Sequence, residues 1–285
     1  MPVPPILARR IVSALLLGAV WCAWLVAPGL AAGEDGLDGC EPEELRLYLA
    51  LAEASALAYD DSQAGLEQTP SGCVALIRED ADGNLVIAFR GSMLGDRASK
   101  HRFSSFGGAN IRRNYRDWVA TNLKQSAGFL PHQYVEAAAL VEEHVRRHPV
   151  GKRVYITGHS KGGGAAAYAY VAACLSSTVS IEQARRMRCV TYNAAVVREQ
   201  NWRRLFRGLE RGAGLSGREP AAGSIHALVM NDDPVSKIAA AEERRYVKRL
   251  GIPSTIDRTP NEQHGIQVVI DELRRRQTQP GRIRK

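Results

Sequence analysis

Hydrophobic residues recur along the chain at two different spacings, and the spacings predict both helices and strands. Apolar positions three or four residues apart predict an amphipathic helix over 43–59, directly after Pro42. Two β-rich runs, 73–77 and 85–89, flank the turn-forming residues 80–84. This arrangement predicts a β-hairpin that follows the first helix.

Further along the chain, strand-like and helix-like segments alternate. The predicted elements are, in order, a helix from 131 to about 148, a strand over 153–157, a helix over 161–174, a strand over 189–193, a helix near 199–209, a buried strand over 224–230 and a helix from 265 to about 276. Alternating elements of this kind predict an α/β fold with a mainly parallel central sheet and helices on both faces. The sequence contains no internal repeat, and residues 212–223, rich in Gly, Ser and charge, are predicted to form a loop.

The first 32 residues have the pattern of a secretory signal peptide. Arg9 and Arg10 precede an uncharged run over 11–27, and small residues follow at 31–33. The run of about 17 residues falls short of the roughly 20 that span a bilayer, so a permanent membrane anchor is the less favoured alternative. The arginine pair does not separate twin-arginine export from the general route. We expect an exported protein, periplasmic or extracellular, that begins near residue 33.

Composition excludes several classes of protein. With 24% charged and 45% hydrophobic residues, the chain of 285 residues is neither disordered nor fibrous. The net charge is +8, and removal of residues 1–32 would leave +6. A surplus of this size is compatible with anionic partners but selects none of them. Because the chain also lacks a nucleic-acid-binding motif, we expect no nucleic-acid partner.

Export changes the interpretation of the cysteines. Cys22 would leave with the signal peptide, and an even number would remain in an oxidising compartment: Cys40, Cys73, Cys174 and Cys189. We therefore expect two disulfides. Of the three connectivities, the pairing of neighbours along the chain, Cys40 with Cys73 and Cys174 with Cys189, is favoured. No C-x-x-C or His pair has zinc-ligand spacing, so no metal site is expected.

The most specific motif is the G-x-S-x-G pattern from Gly158 to Gly162, between a predicted strand and a predicted helix. In this context it predicts a sharp turn that lifts the hydroxyl of Ser160 to the carboxyl end of the sheet. The two glycines have no side chain to collide where the chain reverses. Ser160 is the candidate nucleophile, His159 shares its elbow, and the backbone N–H of Lys161 is a candidate oxyanion donor. The alternative is a tight glycine-rich turn that carries a serine by chance.

A serine nucleophile needs a general base and a carboxylate that holds the base, in the chain order Ser, Asp, His for this architecture. Six of the seven histidines precede Ser160, adjoin it or lie inside a predicted strand: His101, His132, His144, His148, His159 and His226. His264 remains as the candidate base. Asp233 is the preferred acid because it follows the strand at 224–230, and Asp232 is the alternative. Taken singly, these residues also fit a helix-capping Asp and a surface His.

Several segments in order resemble the fungal-type, or class 3, lipases of the α/β-hydrolase fold, and in particular their bacterial branch with a GHSKGG elbow. These segments are 54–59, 88–92, 117–118, 121–123, 158–163, 191–194, 233–235 and 264–266. The resemblance implies one hydrolase domain over 33–276, followed by a basic tail at 277–285. It also implies that Ser92 supplies the first oxyanion donor and the Lys161 N–H the second.

The sequence departs from that family in two places. Lys161 follows the serine where these lipases usually carry a bulky apolar residue. The segment 93–116, where the family's lid sits, is longer and holds six Lys or Arg against one Asp, with Met93, Leu94, Phe103 and Phe106 interspersed. Such a segment could lie on an anionic phospholipid surface, which favours phospholipid over triglyceride as substrate. The alternative is a solvated loop.

Together these observations predict a serine hydrolase that cleaves carboxylic esters of lipids through an acyl-enzyme. Its chemistry requires no metal or organic cofactor. The substrate is a lipid or a small ester, and an anionic membrane surface is a candidate partner through 93–116. The competing hypothesis is a catalytically inactive member of the fold that binds lipid or another protein. The sequence does not determine an oligomeric state.

Overall fold

The computed structural model describes residues 36–92, 132–210, 220–221, 223–231, 233, 246–253 and 264–278. The predicted signal peptide at 1–32, the basic segment at 93–116 and Asp232 lie outside these ranges, as does the tail beyond 278. No helix within the described ranges is long and apolar enough to cross a membrane.

A seven-stranded sheet forms the centre of the described part of the chain, with the strands side by side in chain order. The strands are β1 (Leu66–Gln68), β2 (Val74–Glu79), β3 (Leu85–Phe89), β4 (Val154–His159), β5 (Met187–Tyr192), β6 (Ile225–Met230) and β7 (Val247–Ile252). The first three pair antiparallel, and β3 to β7 are parallel. The predicted hairpin and the mainly parallel sheet are both confirmed.

Helices cover both faces of this sheet. They are α1 (Pro42–Leu57), α2 (His132–Arg147), α3 (Lys161–Leu175), α4 (Ile181–Arg186), α5 (Glu199–Glu210) and α6 (Ile266–Thr278), and a 3₁₀ turn at Leu37–Gly39 precedes α1. The buried residues of α2 and α3 pack on one face, together with Trp202 of α5, and those of α1 and α6 pack on the other. α6 continues to Thr278, two residues into the predicted tail at 277–285.

The core is divided between the two faces by the alternation of side chains along each strand. In β3, Leu85, Ile87 and Phe89 belong to the cluster under α2 and α3, whereas Val86 and Ala88 belong to the cluster under α1 and α6. All five are buried. Because both faces are covered, the strand is a continuous apolar run rather than an alternating one.

Four elements of the structure were not predicted: the 3₁₀ turn at Leu37–Gly39, β1, β7 and α4. β1 has three residues, two of them polar, and β7 contains Lys248 and Arg249 and lies at the sheet edge. α4 is only six residues long and is held by a capping box between Ser180 and Gln183. Segments this short or this polar carry too weak a hydrophobic pattern to be recognised.

The predicted disulfides are wrong. The four cysteines within the described ranges are free thiols. Cys40 packs with the α1 and α6 cluster and Cys73 with the α2 and α3 cluster, so the sheet separates them. Cys174 on α3 and Cys189 on β5 are both buried in the α2 and α3 cluster without a disulfide, and burial raises the pKa of Cys174 to about 12. Spacing along the chain carried no information about which face each thiol occupies.

Candidate active site

The turn between β4 and α3 has the backbone of a nucleophile elbow. Ser160 lies at φ 57° and ψ −126°, a conformation that a non-glycine residue rarely adopts. Two neighbouring glycines allow the reversal: a Cβ on Gly158 would lie 2.5 Å from the carbonyl carbon of Gly162, and one on Gly162 would lie 2.2 Å from the carbonyl oxygen of Phe89. The Ser160 N–H donates to the carbonyl of Tyr192 on β5 (3.0 Å). The serine is therefore held above the carboxyl end of the sheet.

The structure brings the three residues predicted as a triad into contact. Nε2 of His264 lies 2.9 Å from Oγ of Ser160, and Nδ1 of His264 lies 2.8 Å from Oδ1 of Asp233. Asp233 follows β6 and is fully buried, with its N–H donating to the carbonyl of Met230 (2.9 Å). Ser160, Asp233 and His264 are far apart in sequence and meet at one edge of the sheet.

These distances define the protonation of the imidazole. An ionised carboxylate only accepts hydrogen bonds, so Nδ1 of His264 carries the proton that it donates to Asp233. Nε2 then presents a lone pair to the hydroxyl of Ser160. The arrangement can withdraw a proton from the serine as its oxygen attacks an electrophilic carbon.

The two predicted oxyanion donors flank Ser160. A Cβ on Gly91 would lie 2.5 Å from the carbonyl of His159 and 3.2 Å from Cβ of Ser160, so the turn that carries Ser92 packs against the elbow. Lys161 is the first residue of α3, at the positive end of the helix dipole.

Arg90 holds that turn in place. Its guanidinium donates to the carbonyl of Ala58 and, at 2.7 Å, to the carboxylate of Asp61. The same residue is tied into the sheet, because its N–H donates to the carbonyl of Val74 (2.9 Å). Arg90 therefore joins the turn before Ser92 to the segment that follows α1.

Three further side chains reach the site: His159, which the sequence predicted only as part of the elbow, and Tyr59 and Asn193, which it did not predict as site residues. Nε2 of His159 lies 2.6 Å from the carbonyl oxygen of His264, and Nδ1 of His159 lies 2.9 Å from the hydroxyl of Tyr59. Nδ2 of Asn193 lies 3.2 Å from the same His264 carbonyl. Asn193 directly follows β5 and has a φ of 42°. The sequence offered one signal for it, an Asn at the end of a predicted strand, because Asn tolerates left-handed backbone.

Burial controls the charge of His159. Its side chain is buried, and this burial, with the adjacent His264 as the second cause, lowers the pKa of His159 to about 3. His159 is thus neutral wherever His264 can act as a base. On the other side of the elbow, burial raises the pKa of Cys73 to about 12 although Lys161 opposes the shift, so this thiol is not a competing nucleophile.

A cavity lies elsewhere in the described part of the chain. A space of about 400 Å³ is lined by Tyr48, Arg188 and His226 among others, at the amino ends of β5 and β6. No triad residue borders it among the described residues. Within the same ranges, no group of three or more His, Cys, Asp or Glu is placed to hold a metal ion.

Comparison with known proteins finds a family match and similar solved structures. Residues 41–238 match the Tle-like phospholipase domain family, a span that includes Ser160 and Asp233 and ends before His264. Comparison with curated proteins finds no match. Among solved structures, lipase II from Rhizopus niveus has a TM-score of 0.41 at 15% identity, covering 70% of this chain and 76% of that chain. The triacylglyceride lipase of Rhizomucor miehei has a TM-score of 0.39 at 16% identity, covering 75% of this chain and 80% of that chain.

The family match spans well over half of the chain, and it confirms the lipase resemblance recognised in the sequence. The chain therefore belongs to the Tle-like phospholipase family, as a lipid ester hydrolase, and its mainly parallel sheet flanked by helices is an α/β fold.

Proposed function

We propose that the protein hydrolyses a carboxylic ester bond of phospholipids, with Ser160 as nucleophile, His264 as general base and acid, and Asp233 as the carboxylate that orients His264. The observation that carries the proposal is the His264 imidazole, which bridges Ser160 at 2.9 Å and Asp233 at 2.8 Å. The family description supports phospholipid as the substrate class.

The reaction begins when Oγ of Ser160 attacks the ester carbonyl carbon and Nε2 of His264 takes the hydroxyl proton. The carbonyl oxygen becomes an oxyanion, which receives hydrogen bonds from Ser92 and from the backbone N–H of Lys161. Collapse of this intermediate breaks the bond to the alcohol, and His264 returns its proton to the departing oxygen. The leaving group is the lysophospholipid.

Water completes the cycle. His264 takes a proton from a water molecule, whose oxygen attacks the acyl-serine ester, and the second oxyanion occupies the same donors. Its collapse breaks the bond to Oγ of Ser160, which recovers its proton from His264, and a fatty acid leaves. Each donor lost from such an oxyanion hole raises the barrier by about 3 to 4 kcal/mol.

The decisive experiment measures fatty-acid release from anionic and zwitterionic phospholipid vesicles, with a triglyceride emulsion and p-nitrophenyl esters in parallel. The wild-type protein is compared with Ser160→Ala. We expect phospholipid cleavage that depends on Ser160. Cleavage by Ser160→Ala at the wild-type rate would refute the proposed nucleophile.

A second assay separates this function from that of an inactive binding protein. A fluorophosphonate should label the wild-type protein at Ser160 and leave Ser160→Ala unlabelled, because the reagent requires an activated serine. Absence of labelling in a folded wild-type protein, together with vesicle binding, would favour the inactive alternative.

We also propose that the protein is exported and that the basic segment 93–116 contacts anionic phospholipid. Support comes from the sequence pattern at 1–32 and from the six cationic residues of the segment, which are interspersed with large apolar ones such as Met93 and Phe103. N-terminal sequencing of the protein from the producing cells tests export, and a mature start near residue 33 is expected. A start at Met1 in a cytosolic fraction would contradict it.

A further inference from the structure

A second set of hydrogen bonds holds the main chain of His264, separate from the two that its imidazole makes. His264 lies on a turn, and α6 begins two residues later at Ile266. Its carbonyl therefore belongs to no helix or strand, and the donors that reach this oxygen are the side chains of His159 and Asn193 (2.6 and 3.2 Å). Backbone carbonyls in folded proteins are normally paired, and here the partners are side chains.

The tautomer of His159 follows from these contacts. A carbonyl oxygen only accepts, so Nε2 of His159 carries the proton and donates it to His264. A neutral imidazole has one donor and one acceptor nitrogen, so Nδ1 accepts from the hydroxyl of Tyr59 at 2.9 Å. The chain Tyr59 to His159 to the His264 carbonyl has one consistent direction of donation.

The position of His159 gives this contact its significance. It is the last residue of β4 and immediately precedes Ser160, so two consecutive residues hold the same histidine. His159 donates to the carbonyl of His264, and Oγ of Ser160 lies 2.9 Å from Nε2 of His264. The separation between nucleophile and base is therefore set by one rigid strand end rather than by the path of the chain between them.

Asn193 extends the same network toward Asp233. Its side chain is fully buried, and its Oδ1 accepts from the N–H of Met230 (2.9 Å), three residues before Asp233. Its Nδ2 donates to the His264 carbonyl. Asn193 thus ties the strand that carries the acid to the main chain of the base.

From this geometry we propose that His159 is a positioning residue, which holds the main chain of His264 so that its imidazole meets Ser160 and Asp233. The proposal rests on the proposed function, since it assigns a role within that triad. A neutral His159 does not repel His264, whose imidazole lies 5.0 Å away and becomes positively charged during each cycle.

The test compares His159→Leu, which removes both ring nitrogens, with His159→Gln, whose amide nitrogen can reach the position of Nε2. Turnover of a p-nitrophenyl ester should fall about 10- to 100-fold in His159→Leu with KM within about twofold, because misplacement of a catalytic group lowers turnover rather than substrate binding. His159→Gln should recover to within about fivefold of wild type. Asn193 still holds the carbonyl in both variants, which is why the loss is not complete.

His226, near the amino end of β6, offers a matched control away from the triad. Nδ1 of His226 lies 2.6 Å from the hydroxyl of Tyr48, a pair like that of His159 and Tyr59, but it lies at the start of β6. His226→Leu should leave turnover within about twofold. Thermal unfolding of all variants identifies any that fail to fold, and Tyr59→Phe then replaces His159→Leu, with an expected loss of about twofold to tenfold.

A double-mutant cycle distinguishes positioning from general damage. In the His264→Ala background, His159→Leu should change the residual rate less than twofold, because it acts through His264. An equal loss in both backgrounds, or a folded His159→Gln no better than His159→Leu, would overturn the proposal. Full activity of His159→Leu beside an inactive Ser160→Ala would refute the positioning role alone, whereas an active Ser160→Ala would refute the proposed function.

Discussion

Replacement of Asp233 by Asn tests whether this carboxylate orients His264. The side chain at 233 is fully buried and lies 2.8 Å from Nδ1 of His264. An Asn amide can turn its NH₂ toward Nδ1, and the imidazole then keeps this hydrogen bond only in the other tautomer. Its proton moves to Nε2, which can no longer accept the proton of Ser160. The protein should remain folded while its chemistry fails.

The expected loss in kcat for Asp233→Asn is about 10³- to 10⁴-fold, which corresponds to about 4 to 5.5 kcal/mol in the activation barrier. The assay is steady-state hydrolysis of a p-nitrophenyl ester, with thermal unfolding as the check on folding. Asp232→Asn is the matched control and should retain activity within about twofold. A loss under tenfold in Asp233→Asn, or the large loss in Asp232→Asn instead, would refute the assignment.

Three further predictions concern the surface, the pH dependence and the thiols. Neutralising Arg97, Lys100 and Arg102 together should weaken binding to anionic vesicles in a flotation assay, and unchanged binding would exclude the basic segment as the contact. His159 has a pKa of about 3 when folded and an ordinary pKa of 6.5 when unfolded, so below pH 6.5 the unfolded state takes up a proton that the folded state does not. Stability should therefore fall by about 2 kcal/mol more in wild type than in His159→Gln between pH 6.5 and 5, as measured by urea unfolding, and equal losses would contradict a buried neutral His159. The mature protein, denatured without reductant, should titrate four thiols with Ellman's reagent, whereas a count of zero would restore the two disulfides.

The α/β fold and the three residues that meet at His264 were predictable because each rests on patterns that can be read along the sequence. The alternation of apolar runs encodes the strand and helix order. The glycines around Ser160 mark the elbow, and chain order leaves His264 as the base. These features depend on neighbours within a few residues or on order along the chain, so no knowledge of three-dimensional contacts was needed.

Tertiary structure alone decided which groups became partners across long separations. Cys40 and Cys73 proved to lie on opposite faces of the sheet, and His159 met the His264 carbonyl from 105 residues away. Neither contact can be read from the spacing of hydrophobic residues, because a side chain's partner depends on how the strands are arranged and which face each residue occupies. The sequence therefore determined most of the helices and strands and the candidate reactive groups, and the packing of the sheet edge determined how those groups are held.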